Sequence, residues 1–581
     1  MVHFNFDETL ILIGELGRYQ VTLYILLGLL GLPSSWQNLS MVFLGGNMQF
    51  WCADEDSVDG PPPWESGDYK GFGYNFSFHA NGSSLAGGSP VGRCTKTVFV
   101  NRDYYNSSRF PDVVNSSDLR IEKCHTWIYD RSHYLSTIIS QYNLVCGDEW
   151  KISTATSIYM AGFLVGVVAF GYLSDRFGRH RTLLSSLLLL IVSGVAAAFA
   201  PEYISFVLLR FVVGSCSGGG FTVGFVIVME TIGPTKRMSP GVFYQGWFAV
   251  GIMIQAGFAY FVRSHIHLQL VQALPVVLFL SYWWIVSESP RWLVTVGRIS
   301  EAEVLVKKIA KINGRTEVQL GEMVRRFQAG EVKECVTMEK PNIVDVLRAP
   351  NLRSRTCNVS FHWFVISMVY YGLSLGSGSL GGSVYINHFL SGLVEIPSFF
   401  ITIFTMDRFG RKKVMLALHV FGGVACLACT PLIDVPNLQP LLVTCAMMGK
   451  FAVAANFAVI YVYSAEIFPT VVRNVGVGAG SMCARIGSLL APQISRLDTI
   501  WRPSPFLFYG GLPLIAAILV FFLPETLHQK LPETIEDGEK FGTLCHGDQW
   551  DLNDPYVAEA MKKIYPASLE LKKTADCPGE N

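Results

Sequence analysis

Long apolar runs separated by short polar turns dominate this chain. The first run covers roughly 21–44. About a hundred mostly polar residues interrupt the pattern after it. From about 150 onward, apolar stretches recur near 152–173, 182–200, 203–229, 241–262 and 268–287. A charged segment follows, and then runs near 356–376, 384–406, 414–433, 439–463, 475–494 and 505–524. Each run is long enough to cross a bilayer as a helix, which satisfies every backbone group internally. The pattern predicts an all-α polytopic membrane protein with twelve transmembrane helices.

Basic residues orient the spans, because Lys and Arg accumulate in cytoplasmic loops. Arg176, Arg179 and Arg181 follow the second run, and Arg408, Arg411, Lys412 and Lys413 follow the eighth. The segment 291–355 carries thirteen Lys and Arg residues, while loops on the other side are nearly bare. These loops and both termini are therefore expected in the cytoplasm. The polar segment 45–149 then lies outside. It holds four cysteines, Cys52, Cys94, Cys124 and Cys146, an even number suited to an oxidising compartment. Two disulfides are expected, with three pairings open. It also holds glycosylation sequons at Asn75, Asn81, Asn106 and Asn115. The other nine cysteines read as packing residues.

The predicted division is 1–44 for the N-terminus and helix 1, 45–149 for a glycosylated outer loop domain, 150–290 for helices 2–6, 291–355 for a cytoplasmic linker domain, 356–527 for helices 7–12 and 528–581 for a polar, loosely ordered cytoplasmic tail. The N-terminal stretch has acids and no basic region before its apolar run, so it does not read as a signal peptide.

Composition narrows the function classes. Only 15% of the 581 residues are charged, and Lys+Arg and Asp+Glu balance at 45 each. Soluble chains carry about 25% charge. A nucleic-acid partner is not expected, since no clustered basic excess exists. No phosphate-cradling G-x-x-x-x-G-K-[ST] and no H-E-x-x-H occurs. Cys and His are scattered without metal-ligand spacing, so neither metal, cofactor nor catalysis is expected. The glycine-rich GSCSGGG at 214–220 reads as close helix packing.

The chain repeats itself. GYLSDRFGRHR at 171–181 returns as TMDRFGRKK at 405–413, placing Asp175 and Asp407 232 residues apart. METIGPTKR at 229–237 returns as SAEIFPTVVR at 464–473, and SESP at 287–290 returns as PET at 524–526. Three motif pairs with nearly one offset imply two six-helix halves related by parallel duplication. That layout suits a secondary transporter whose site lies at the midplane between the halves.

These residues are similar to those of a known group. D-R-F-G-R after spans 2 and 8 resembles the cytoplasmic motif of the major facilitator superfamily. STIISQYNLVCGDEW, SESPRWLVTVGR, YYGLSL, VEIP and the run GKFAVAANFAVIYVYSAEIFPTVVRNVGVGAGSMCARIGSLLAP resemble its organic cation, zwitterion and anion transporter family. The match spans about residues 8–540 and is nearest the invertebrate organic cation transporters and the carnitine-type branch. Insect relatives suggested for carcinine look similar as well. The resemblance implies alternating access and no enzymatic activity.

By that analogy, Asp175, Arg176, Arg179, Glu230, Arg237, Glu288 and Arg291 form one gating network. Asp407, Arg408, Arg411, Glu466, Arg473 and Glu525 form its repeat. The expected pairs are Glu230 with Arg237, Glu466 with Arg473 and Glu288 with Arg291. The bland alternative is that these charges only set membrane orientation.

Arg485 stands in GSMCARIGSLLAP, an apolar, small-residue stretch inside span 11. A cation at that depth is costly, which makes it a candidate for function. The resemblance implies an aspartate here in cation carriers and an arginine in anion and carnitine-type members. Glu395 lies inside span 8 in SGLVEIPSFF, and could receive a substrate amine or neutralise Arg485. Tyr370 and Trp363 on span 7 and Phe248 on span 5 could face an ammonium with their rings. Gln245, Gln37 and Asn38 are further polar candidates. Together they imply a plasma-membrane carrier of small organic amines or zwitterions, of carcinine, β-alanyl amine, carnitine or monoamine type. The residues name no coupling ion. An organic anion exchanger, or a non-transporting sensor of the same fold, is the alternative.

Overall fold

The computed structural model describes residues 6–52, 94–99, 119–315, 343–529 and 531–542. Helical segments stand at all twelve expected places. Among the described residues, nine of them are long and apolar enough to cross a membrane. These are span 2 (Trp150–Phe177), span 3 (Arg179–Ala198), span 4 (Tyr203–Thr231), span 5 (Met238–Phe261) and span 6 (His265–Ile285). The others are span 7 (Pro350–Leu375), span 8 (Val384–Phe409), span 9 (Arg411–Leu432) and span 10 (Gln439–Ile467).

The remaining three places differ for local reasons. Span 1 is a succession of short helices, Arg18–Gly28, Gly31–Leu39 and Met41–Leu44. Pro33 has no N–H to give the carbonyl of Leu29, so the ladder breaks there. Span 11 (Arg473–Ser495) is diluted by glycines, serines and Arg485. Span 12 (Ser504–Val520) has only 17 residues.

Small residues decide how closely the spans pack. A Cβ at Gly162 of span 2 would lie 2.1 Å from the Phe211 carbonyl oxygen of span 4, and one at Gly214 would lie 2.3 Å from that of Tyr159. The GSCSGGG run is thus a packing surface. The duplication recurs in this packing. Gly251 of span 5 abuts Leu32 and Ser35 of span 1, and Gly487 of span 11 abuts Phe364 of span 7.

The end of the bundle holding Cys94 carries two short antiparallel ribbons. β1 (Phe50–Cys52) pairs with β4 (Trp127–Tyr129), and β2 (Thr95–Phe99) with β3 (Leu119–Lys123). Cys94 is bonded to Cys146, and Cys124 is also disulfide-bonded. The Cys52 side chain and the four sequons at Asn75, Asn81, Asn106 and Asn115 lie outside the described residues.

At the opposite, basic end, helices Phe6–Ile13, Pro290–Thr295 and Ile299–Ile312 bury Phe6, Leu10, Trp292 and Ile309 together. The start of the tail departs from the loosely ordered segment expected after 528. Helix Ile535–Lys540 docks on span 7, and Glu539 accepts hydrogen bonds from the Asn351 and Leu352 amides at 2.7 and 2.9 Å. A carboxylate there satisfies donors that a helix start leaves open. The hydrophobic pattern gave no hint of this, because Ile535 alone packs on the core and the rest of the contact is polar.

Side chains also join the two halves. Among the described residues, the hydrogen bonds crossing between them lie toward the loop-domain end. Ser157 donates to the Leu489 carbonyl at 2.9 Å, Gln493 donates to Ser157 at 3.1 Å, and His388 meets Gln255 at 3.2 Å. Toward the basic end, Phe243 and Phe400 touch with ring centroids 5.0 Å apart.

Candidate functional site

Span 8 is interrupted where its charge sits. Its first helix ends at Leu393 and the second begins at Glu395. Pro397 cannot donate to the Leu393 carbonyl, which accounts for the break. Glu395 therefore stands in a helix first turn, where backbone dipoles favour a carboxylate. It is 1% exposed.

The partner of Glu395 is Lys450, not Arg485. Lys450 Nζ lies 2.8 Å from Glu395 Oε1, and the Tyr370 hydroxyl donates to the same oxygen at 2.9 Å. Lys450 also donates to Ser374 Oγ at 2.5 Å and sits 3.1 Å above the centroid of the Tyr370 ring. A buried ammonium is thus held by a carboxylate, a hydroxyl and an aromatic face together. Among the described residues, no hydrogen bond reaches Glu395 Oε2. The sequence did carry a signal for Lys450. It is the lone charge within the 439–463 run, and a cation inside a span is costly.

Arg485 lies elsewhere in the interior. Its guanidinium covers the Phe163 ring of span 2 at 4.5 Å, so it reaches across the interface between halves. Tyr371 and Tyr461 lie within its electrostatic reach, and Tyr371 lies within that of Glu395 too. No carboxylate comes within ion-pair distance of Arg485 among the described residues. Its Nε is buried without a hydrogen-bond partner.

The aromatic candidates divide. Tyr370 touches the charged cluster directly. Trp363 donates to Ser464 Oγ at 2.9 Å and stands edge-on to Tyr461 at 4.4 Å, so its N–H is already engaged and its face is wall. Phe457, which sequence reasoning missed, links Tyr370 and Trp363 at 5.5 and 6.0 Å. Phe248 packs on Phe221 at 6.3 Å. Gln245 is half-buried on span 5. Gln37 is committed to Arg210, and Asn38 is fully buried with neither amide atom bonded.

The two basic-end clusters are near copies, but their pairings differ from those expected. Arg179 grips Glu230 with two bonds of 3.1 and 2.9 Å and lies 2.9 Å from Asp175. Arg411 likewise lies 3.1 Å from Glu466 and 3.5 Å from Asp407. Glu288 accepts from the Arg179 amide at 2.8 Å, and Glu525 from the Arg411 amide at 2.9 Å. Arg237 and Arg291 instead reach Asp7 at 2.7 and 3.8 Å, while Arg473 donates to Thr470 and stays within electrostatic reach of Glu466. Spacing along one motif suggested neighbours, whereas helix ends bring distant segments together. Arg176 and Arg408 lie over Phe177 and Phe409, at 5.5 and 5.6 Å.

One glycine in each copy makes this geometry possible. Gly178 and Gly410 have φ of +102° and +93°, with ψ near extended values. That backbone region is essentially reserved for glycine. A Cβ would lie 2.4 Å from Glu288 Oε2 at Gly178 and 2.5 Å from Glu525 Oε2 at Gly410. We expect Gly178→Ala and Gly410→Ala each to cost on the order of 2 kcal/mol. A fall in the thermal midpoint of the purified protein checks this, and an unchanged midpoint in both would refute it.

Comparison with known proteins gives concordant results. Residues 112–537 match the sugar (and other) transporter family. An organic cation transporter protein of Drosophila melanogaster is 40% identical, covering 93% of this chain and 95% of that one. An organic cation transporter-like protein of the same fly is 38% identical, covering 99% and 98%. Solute carrier family 22 member 3 of Rattus norvegicus is 33% identical, covering 93% and 96%. The inward-open structure of the xylose transporter XylE from E. coli superposes with a TM-score of 0.53 at 19% identity, covering 68% of this chain and 90% of that one. That last likeness concerns the fold alone.

Proposed function

Because the chain belongs to the organic cation transporter family of the major facilitator superfamily, we propose that it carries small organic amines or zwitterions across the plasma membrane by alternating access. It is a multi-pass membrane protein and a secondary transporter of organic cations. The finer reading rests on one observation, the buried ammonium of Lys450 held by Glu395 and the Tyr370 ring. That arrangement is already a receptor for a protonated amine. A substrate ammonium approaches Glu395 Oε2 and competes with Lys450 for the carboxylate. Charge-assisted bonds and the ring quadrupole supply its affinity. Arg485 offers a second pole. A carnitine- or carcinine-like substrate has a polar or anionic end, and Arg485 can grip a carboxylate in bidentate fashion.

The paired basic-end clusters would serve as the gates. Each binds within its own half, so each half moves as a unit while contacts between halves exchange. In this reading the crossing bonds at Ser157 and His388 would close the loop-domain end. A second reading is an organic anion exchanger, favoured by Arg485, which meets the Tyr371 hydroxyl but no carboxylate among the described residues.

Cells expressing the wild type and Arg485→Asp separate these readings. The panel is labelled carnitine, carcinine, a permanent organic cation and an organic anion. We expect wild type to take up amine or zwitterion, and Arg485→Asp to shift preference toward the permanent cation. Uptake of the anion alone by wild type would overturn the substrate class.

A further inference from the structure

The charges inside the spans do not balance. Residues 150–174, 182–201, 203–229 and 238–287 contain no acid, and Glu202 lies just before span 4. Span 1 from 18 to 44 has none. The first half therefore buries no carboxylate in its membrane-spanning core. It does bury a cation, because Arg210 of span 4 is 0% exposed. An arginine is protonated at any physiological pH, so burial cannot neutralise it. Leaving it uncompensated in low dielectric is expensive.

The surroundings of Arg210 are polar and neutral. Nη1 donates to Gln37 Oε1 at 3.3 Å and Nη2 to the Gln37 carbonyl at 3.1 Å. The guanidinium lies 4.4 Å over the Tyr159 ring. Gln269 of span 6 donates to the same Gln37 Oε1 at 3.2 Å. Amide oxygens and a ring face soften the charge without cancelling it. Two donors of this cluster remain unspent and buried, Arg210 Nε and Gln37 Nε2. One turn along span 6, Gln272 is fully buried with both amide atoms unbonded.

We propose that Arg210, with the side-chain amide of Gln37, forms a binding site for a small monovalent inorganic anion of the halide class. It is separate from the substrate-ammonium site at Glu395. The enclosure favours a monatomic ion over a carboxylate-bearing metabolite, since Arg210 has no exposed surface through which a larger group could extend. Unspent N–H donors around a permanent cation are the chemistry that holds a desolvated anion. The site does not depend on what the protein carries, so its test needs no substrate.

The experiment uses the full-length transporter, purified without substrate, at fixed sodium concentration and ionic strength. Chloride or bromide replaces gluconate stepwise while the thermal midpoint is followed. Ligand that binds only the folded state raises that midpoint in a saturable way. We expect wild type and Arg485→Gln to show the rise. Arg210→Gln should weaken the apparent halide affinity by at least about tenfold, or ~1.4 kcal/mol. Gln37→Glu covers the case in which Arg210→Gln does not fold. It supplies an internal carboxylate to Arg210, and should fold while losing the halide response. A flat response in wild type overturns the site, as does an undiminished response in Gln37→Glu. Loss of the response in Arg485→Gln alone would move the anion to Arg485 and overturn it equally.

Discussion

Glu395→Gln is expected to abolish organic cation uptake. The amide keeps the size and can still accept from Tyr370, but it removes the one carboxylate that faces Lys450 among the described residues. Losing a charge-assisted contact of about 2 kcal/mol is roughly thirtyfold in affinity. The same change strands a fully buried ammonium. Removing one partner of such a pair costs on the order of 3 kcal/mol in stability. Lost uptake alone would thus be ambiguous between a missing ligand and a damaged fold. Glu395→Gln combined with Lys450→Met resolves this. The double variant has no buried unpaired charge, so its thermal midpoint should recover toward wild type. Its uptake should not recover, because the amine receptor is gone. If the double variant transports the organic cation as well as wild type does, Glu395 is structural and the ammonium site lies elsewhere.

The second large effect is expected at Arg179 and its copy Arg411. Arg179→Ala removes two bonds to Glu230, one ion pair to Asp175 and a bond to the Ser174 carbonyl. Glu230 then keeps a largely buried charge with no other cation within ion-pair distance among the described residues. The loss should approach 3 kcal/mol, somewhat below the fully buried case because the side chain of Glu230 is 15% exposed. Uptake per copy at the cell surface should fall at least tenfold. Arg411→Ala should lose less, since Arg411 meets only one oxygen of Glu466, whose other oxygen accepts from Thr526, and lies 3.5 Å from Asp407. Arg179→Lys should recover only part, as a point charge cannot grip Glu230 with two parallel bonds. Normal uptake per surface copy, alongside a lowered thermal midpoint, would show that these clusters brace the fold without gating it.

Much of the architecture was legible in the sequence. Apolar runs placed the spans, because a bilayer imposes one length on every crossing helix. The duplicated D-R-F-G-R motif announced two halves, and the two copies prove alike down to the glycine and the carboxylate that caps the next helix. The pairings were less legible. Glu230 and Arg237 are close in sequence, yet Glu230 ends span 4 beside the first residue of span 3. Only the packing of spans 3 and 4 brings Arg179 there. Lys450 was visible as a charge in an apolar run, but its partner was not, because spans 8 and 10 meet through tertiary contact. Asp7 and Glu539 were missed for a related reason. Each is an ordinary acid outside the twelve apolar runs, and only its distant partner gives it a role.

Those two acids carry a practical consequence for anyone handling this protein. Asp7 ties the leading helix to Arg237, beneath the first half. Glu539 ties the trailing helix to the start of span 7, beneath the second. Helices Phe6–Ile13 and Ile535–Lys540 are thus separate anchors, one for each half. Deleting residues 1–14 and truncating after 530 are therefore different injuries, and each should loosen only the half it serves. An affinity handle is better appended beyond either anchor than substituted for it.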